Sequence, residues 1–272
     1  MPLPLQSRPA LHALALYAAA ALLRPPAALG YDAPMTAPHS ASHRPAKRIV
    51  LASLSPRRRR LMSWLGLPFE TAAVDTPEDL DSPLAERPEE LASHLAAEKA
   101  VAARDEGLAE DALVLTFDTI VVHDGEVLGK PRDVSDAWRM LRSLSGRTHQ
   151  VVTGVAMLCP DDDAPRTFAV TTDVQMKSLT DCQIEAWMAM GEFMGCAGAY
   201  NIEGQVAQVS AGECYQNVAG LPLCHLYAAL TGPEAPDCLP EGIQLPTHAC
   251  DGALERACLL GSITAERREG AD

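Results

Sequence analysis

The sequence predicts an α/β fold, and three observations carry that prediction. A short apolar run over residues 49–52 (Ile-Val-Leu-Ala) breaks at Ser53-Leu54-Ser55-Pro56 and continues as a helical pattern to Gly66. A nearly continuous apolar run over residues 112–122 has the composition of a central strand covered on both faces. An amphipathic helix over Val134–Leu144 then feeds another apolar strand over residues 151–158. The chain has 272 residues, 47% of them hydrophobic, which supplies one large domain or two small ones with a sizeable core.

Charge and composition exclude several functions. With 22 basic and 36 acidic residues the net charge is −14. A chain this acidic repels phosphate backbones, so no nucleic-acid partner is expected. Aromatic residues make up only 4%, too few for a platform on which bases stack. The eight cysteines include no C-x-x-C pair, which argues against a zinc ribbon or a thioredoxin-type redox site. The expectation is buried, reduced thiols in a cytoplasmic protein.

The two ends differ from the body. Residues 1–44 have the layout of a leader, with Arg8 before an apolar centre over residues 10–23 and Arg24-Pro25-Pro26 after it. That centre is too short for a comfortable membrane span, so no membrane partner is expected. The preferred reading is a translated upstream extension, with Met35 the more natural start. Residues 45–232 form the expected functional domain. Residues 233–272 read as an appended tail with one short helix near residues 254–260 and no visible chemistry.

Within the body, Ser55 is a good N-cap and Pro56 suits the first helical position. Leu61, Met62 and Leu65 mark the inner face of the helix, and Gly66 ends it. Residues 44–60 hold seven basic side chains and no acidic one, although residues 70–90 hold eight acids. Arginines in a first helical turn oppose the helix dipole, and an anionic ligand would relieve that cost. The turn is therefore read as a phosphate site made by Ser53, Ser55, Arg57, Arg58 and backbone amides. A solvated basic face accounts for Arg59 and Arg60.

Asp118 interrupts the apolar run, and a carboxylate there is costly unless paired, hydrogen-bonded or metal-bound. Asp124-Gly125 is a hairpin signal, and the returning strand brings Lys130 back toward Asp118. A structural ion pair and a functional one both fit this placement. A haloacid-dehalogenase-type phosphatase also carries an aspartate at a strand end. It needs a second aspartate two residues on, where this chain has Ile120.

Six pieces then line up in order: LASLSPRRRRL (51–61), AAEKA (96–100), DTIVVHDGEVLGKPRD (118–133), LSGRTHQVVTGVA (144–156), AGAYNIEG (197–204) and NVAGLPL (217–223). Together they resemble the Maf-like nucleoside triphosphate pyrophosphatases, over about residues 48–231. The resemblance implies an elongated mixed β-sheet flanked by helices, in two lobes with a central cleft. It implies a cytoplasmic house-cleaning enzyme that hydrolyses a nucleoside triphosphate to monophosphate and pyrophosphate. A divalent metal, magnesium or manganese and in some cases cobalt, is implied as cofactor, and a homodimer as the assembly.

On the matching residues, the resemblance makes Asp118 the catalytic carboxylate and general base. Glu78 and Asp118 become metal carboxylates. Ser53, Arg57, Arg58, Lys99 and Lys130 become the phosphate and substrate contacts. Arg57, Thr119 and Glu203 occupy the selectivity positions. The first two match members acting on dTTP and UTP, whereas a glutamate at 203 matches members acting on 7-methyl-GTP. Cys196 also stands where the dTTP/UTP group usually has lysine, and Phe117 where a small residue is usual. Pyrimidine triphosphates are expected slightly ahead of modified purines. An alternative from another class is a nucleotide-binding regulator of septum formation without turnover; the retained Asp118, Glu78, Lys99 and Lys130 favour the enzyme.

Overall fold

The computed structural model describes residues 46, 48–236, 238, 239 and 242–261. The expectations for residues 1–44 lie outside the described residues. The body is a seven-stranded mixed sheet with helices packed on it, in the order β2-β1-β3-β5-β6-β7, with β4 paired to β3.

β1 (Arg48–Leu51) runs parallel to both β2 (Glu70–Thr71) and β3 (Ala112–His123). Between β1 and β2 lies α1 (Pro56–Ser63), whose N-cap Ser55 accepts a hydrogen bond from the Arg58 amide, as expected. The helix stops three residues short of Gly66, which follows in a left-handed conformation (φ 72°). Leu61, Met62 and Leu65 are fully buried beneath it.

α2 (Pro88–Asp105) fills the stretch for which the sequence reading named only the AAEKA piece. Its buried face is Leu91, Ala92, Leu95, Ala96, Ala100 and Ala103, at helical spacing. The small side chains let the helix sit close on the sheet. The closest approach is at Gly154, where an added Cβ would lie 2.0 Å from the Ala92 carbonyl oxygen.

The hairpin from β3 to β4 (Glu126–Leu128) turns at Asp124 and Gly125, with φ of 52° and 81°. Positive φ at both central residues is what the Asp-Gly pair provides. α3 (Val134–Leu144) begins on its N-cap Asp133 and has the expected bounds. β5 (Thr148–Leu158) starts three residues earlier than expected and pairs antiparallel with β3 and with β6 (Arg166–Met176). The remaining elements are α4 (Asp181–Ala189), β7 (Ala207–Val209), α5 (Tyr215–Val218), α6 (Leu223–Thr231) and α7 (Thr247–Leu254).

Two expectations are corrected by the structure. The expected tail helix is divided: α7 precedes most of the segment, Glu255 in a left-handed conformation (φ 51°) ends it, and helical backbone resumes at residues 259–261. The thiols are not all reduced. Cys159 and Cys238 form a disulfide, because the end of β5 and the C-terminal segment run side by side with Cα atoms 6.1 Å apart. The other six cysteines are free thiols. The C-terminal segment packs on the body: the Gln244 amide donates to the Leu65 carbonyl at 2.9 Å, and Cys250 is buried. Among the described residues no helix is long and apolar enough to cross a membrane.

One buried polar pair gives the fold a pH dependence. His149 on β5 lies 2.6 Å from the Tyr200 hydroxyl through Nε2. Burial first, and then the neighbouring His123, pushes its pKa down from 6.5 to about 4. Unfolding releases His149 to its ordinary value, so the unfolded chain binds the extra proton between these limits. Stability is therefore full above pH 6.5 and declines as pH falls toward 4. The loss from this group is about 3 kcal/mol for one proton over that span. Glu78 adds a loss of the same sign only below its ordinary 4.5. Urea denaturation at pH 5.0 and 6.5 should show a clearly smaller fall in His149→Gln than in the parent, the remainder coming from His225, whose pKa burial also lowers. An equal fall in both would assign it elsewhere.

Candidate active site

Asp118 sits where the sheet opens. β1 pairs with β3 as far as Leu115, and β4 joins β3 only from Val121. Residues 116–120 therefore have β5 on one side and no paired strand on the other. The turn after β1 faces this gap, because Ser53, Ser55 and α1 follow directly from the end of β1. A cavity of about 530 Å³ fills the opening. Its wall includes Ser53, Ser55, Arg57 and Arg58 from the turn and Asp118 and Thr119 from β3. Lys99 and Lys130 complete the charged side.

Asp118 is buried, with 3% of its surface exposed, and the face of β3 that carries it is covered by α2. Thr116, two residues earlier on the same face, donates to the Ala96 carbonyl at 2.6 Å. One turn further along α2, Lys99 forms an ion pair with Asp118 and a second contact, 3.1 Å, with Glu78. Lys130 reaches the same Glu78 oxygen at 2.6 Å. As expected from the hairpin, Lys130 returns to the same cavity as Asp118, but it is not its ion-pair partner. The structure instead gives Asp118 to Lys99 and joins Lys130 to the cluster through Glu78. Burial works against ionised Glu78, but the Lys99 and Lys130 ammoniums outweigh it and hold the carboxyl below its usual value. The buried carboxylate that sequence alone marked as costly is thus fully compensated.

On the turn side, Arg58 is fixed from several directions. Its Nε donates to the Gly220 carbonyl at 2.8 Å and its Nη2 to Thr119 Oγ1 at 3.0 Å. Its guanidinium lies 5.7 Å from the centre of the Phe117 ring. Phe117 is therefore both packed core and the floor under this cation. Desolvation lowers the Arg58 pKa, which leaves it charged at any ordinary pH. Arg57 donates through Nη2 to the Cys196 sulfur at 3.2 Å. Burial raises the Cys196 thiol against that arginine's pull, so it faces the cavity protonated.

Glu203 stands apart from the others. It forms an ion pair with Arg60 on the exposed side of α1 and is not among the cavity-lining residues. Arg60, read from sequence as simply solvated, is its partner. Asn217, in the NVAGLPL piece, has no role that local sequence signals; it is fully buried beneath the Gly220 turn, whose amide donates to its carbonyl.

The donor set also bears on a metal. Asp118 and Glu78 converge on a single cation, the Lys99 ammonium, so two hard carboxylate groups come within reach of one positive centre. Among the described residues there is no cluster of three or more His, Cys, Asp or Glu that could hold an ion by itself. Two carboxylates, with phosphate and water oxygens completing the shell, suit magnesium or manganese. The residues fit such an ion.

At this level the chain is an α/β protein whose mixed sheet opens onto a charge-lined cleft, basic on the turn side and carboxylate-bearing on the strand side. Residues 48–232 match the family model described as Maf-like protein. The chain belongs to that family. Relatives include the dTTP/UTP pyrophosphatase of Pelotomaculum thermopropionicum, 46% identical over 66% of this chain and 93% of the relative. That of Xanthomonas euvesicatoria is 44% identical over 67% of this chain and 97% of the relative. That of Geobacter sulfurreducens is 46% identical over 66% and 93%. Among solved structures, the Staphylococcus aureus Ham1 protein aligns with a TM-score of 0.33 and 17% identity, over 48% of this chain and 72% of its own.

Proposed function

We propose that the protein hydrolyses nucleoside triphosphates to nucleoside monophosphate and pyrophosphate, with dTTP and UTP as the preferred substrates. The observation that carries this reading is the Asp118–Lys99–Glu78–Lys130 chain of contacts, in which Asp118, Lys99 and Lys130 line the same cavity as the Ser53–Arg58 turn and Glu78 ties the two lysines together from outside that lining. Curated relatives covering nearly their full length bear the name of this activity, which supports the substrate class.

In the mechanism, the turn binds the triphosphate. Ser53 donates to phosphate oxygens, Arg57 and Arg58 neutralise them on one side, and Lys99 and Lys130 do so on the other. Arg58 keeps an N–H on each terminal nitrogen for this, because Gly220 and the hydroxyls occupy the rest. Asp118 takes the proton of the attacking water as general base. Lys99, held between Asp118 and Glu78, orients the Asp118 carboxylate for that transfer. Glu78 and Asp118 would hold the divalent cation, magnesium, manganese or cobalt, whose chemistry is to neutralise charge on the phosphate oxygens.

Selectivity is assigned to Arg57 and Thr119, which line the cavity; Glu203, the third position of the family pattern, does not line it. An unpaired carboxylate at 203 would repel the carbonyls of uracil and thymine. Glu203 is instead paired with Arg60 and is not among the cavity-lining residues, so that objection falls, and Arg57 and Thr119 favour the pyrimidine reading over 7-methyl-GTP. The reaction is placed in the cytoplasm, where these triphosphates are made, and a homodimer remains the proposed assembly. The test is pyrophosphate release from canonical and modified triphosphates with magnesium, manganese or cobalt. The expected result is fastest turnover of dTTP and UTP. Turnover led by 7-methyl-GTP would reassign the substrate, and tight binding without release would favour the septum-regulator reading.

A further inference from the structure

We propose that Asn217, acting with Thr153, is a positioning residue for Arg58. The inference rests on the proposed role of Arg58 at the phosphates. The supporting observation is a closed ring of hydrogen bonds behind the cleft. Arg58 Nη2 lies 3.0 Å from Thr119 Oγ1, Thr119 Oγ1 lies 3.0 Å from Thr153 Oγ1, and Thr153 Oγ1 lies 3.1 Å from the Asn217 carbonyl. The Gly220 amide reaches that same carbonyl at 2.9 Å, and the Gly220 carbonyl returns to Arg58 Nε at 2.8 Å.

The chemistry of its ends fixes the direction of every hydrogen in this ring. A guanidinium can only donate and a carbonyl can only accept. Arg58 therefore donates to Thr119, Thr119 to Thr153, and Thr153 to Asn217. No hydroxyl is left to rotate, so the guanidinium plane has one satisfied orientation. Hydrogen-bonded chains of this kind are the buried polar networks that specify a single arrangement.

Asn217 anchors the ring to the sheet. Its Nδ2 lies 3.1 Å from the Val151 carbonyl on β5, 2.9 Å from the Val170 carbonyl on β6, and 3.1 Å from Thr172 Oγ1. The side chain thus clamps two adjacent strands while its own backbone carbonyl holds the ring. Gly220 has φ 95°, and an added Cβ would lie 3.3 Å from Arg58 Nε. The turn needs glycine for both reasons. Substrate need never touch Asn217 or Thr153 for either to affect its binding.

The test uses the full chain, with Asn217→Ala, Thr153→Val and Thr153→Ser. Thr153→Val keeps the volume and removes only the hydroxyl, so it serves if Asn217→Ala does not fold. The first readout needs no activity. Phenylglyoxal modification of Arg58, mapped by mass spectrometry, is expected to quicken about fivefold or more in Thr153→Val and to stay near the parent rate in Thr153→Ser. The second readout is kcat/KM for dTTP, alone and in an Arg58→Lys background. Thr153→Val should cost about 30-fold with Arg58 present and under about threefold in the Arg58→Lys background, the coupling expected of groups in one network. Unchanged Arg58 reactivity, or losses that multiply independently in the two backgrounds, would overturn the proposal. If the parent releases no pyrophosphate, the hydrolase reading fails, and the Arg58 reactivity still decides whether Asn217 and Thr153 position it.

Discussion

Replacing Asp118 with asparagine is expected to lower pyrophosphate release from dTTP by about 10³-fold, in the range typical for loss of a general base. Asparagine matches the shape of aspartate and its side-chain oxygen can still accept from Lys99. Lys99 also keeps its 3.1 Å contact with Glu78, so no buried ammonium is left without a partner. The fold should survive, and at saturating metal the loss should fall mainly on kcat, because Ser53, Arg57, Arg58, Lys99 and Lys130, which contact the phosphates, are all retained. Nucleotide binding measured by calorimetry alongside turnover separates these effects. A variant that binds but does not hydrolyse supports the assignment. A variant that hydrolyses at the parent rate makes Asp118 a structural ion-pair partner and nothing more.

Gly154→Ala is expected to be the most damaging single-methyl change in the protein. Gly154 lies opposite Asp118 in the β3–β5 ladder. Its Cβ would fall 2.0 Å from the Ala92 oxygen and 2.2 Å from the Ala92 carbon, both of them helix backbone. Backbone cannot rotate aside as a side-chain tip can, so α2 must lift off the sheet. Overpacking of this kind costs about 3 kcal/mol or more. Two results should appear together: a lower urea midpoint, and loss of activity at temperatures where the variant is still folded. The second follows because α2 carries Lys99 to Asp118. A folded variant with full activity would show that the placement of α2 has little to do with the site.

Much of this was legible before any coordinates. Ser55 and Pro56 specify a helix start by local hydrogen bonding and fixed φ, and the structure has them there. Asp124-Gly125 specifies a tight hairpin through positive φ, and Val134–Leu144 is an amphipathic helix with clear periodicity. These are short-range signals. α2 was harder to read because its inner face is mostly alanine, which contrasts weakly with its polar side. β6 was harder still, since its alternation is irregular and only four of its eleven residues are buried. At the site, the buried Asp118 announced its need for a partner, but not which lysine would answer. That depends on how α2 crosses the sheet, which Gly154 decides from another strand. Likewise the Arg60–Glu203 pair and the Asn217 clamp depend on tertiary contacts with no local signature. The disulfide was missed because nothing in the spacing of Cys159 and Cys238 says that the C-terminal segment returns to β5.

The central claim is that this cleft cleaves a pyrimidine triphosphate between its first and second phosphorus atoms with Asp118 as base. The most direct measurement is product analysis by phosphorus NMR after incubating dTTP and magnesium with the parent and with Asp118→Asn. The expected result is dTMP and pyrophosphate in equal amounts from the parent, and about a thousandfold slower formation of both by the variant. Formation of dTDP and orthophosphate, or equal yields from both proteins, would contradict it.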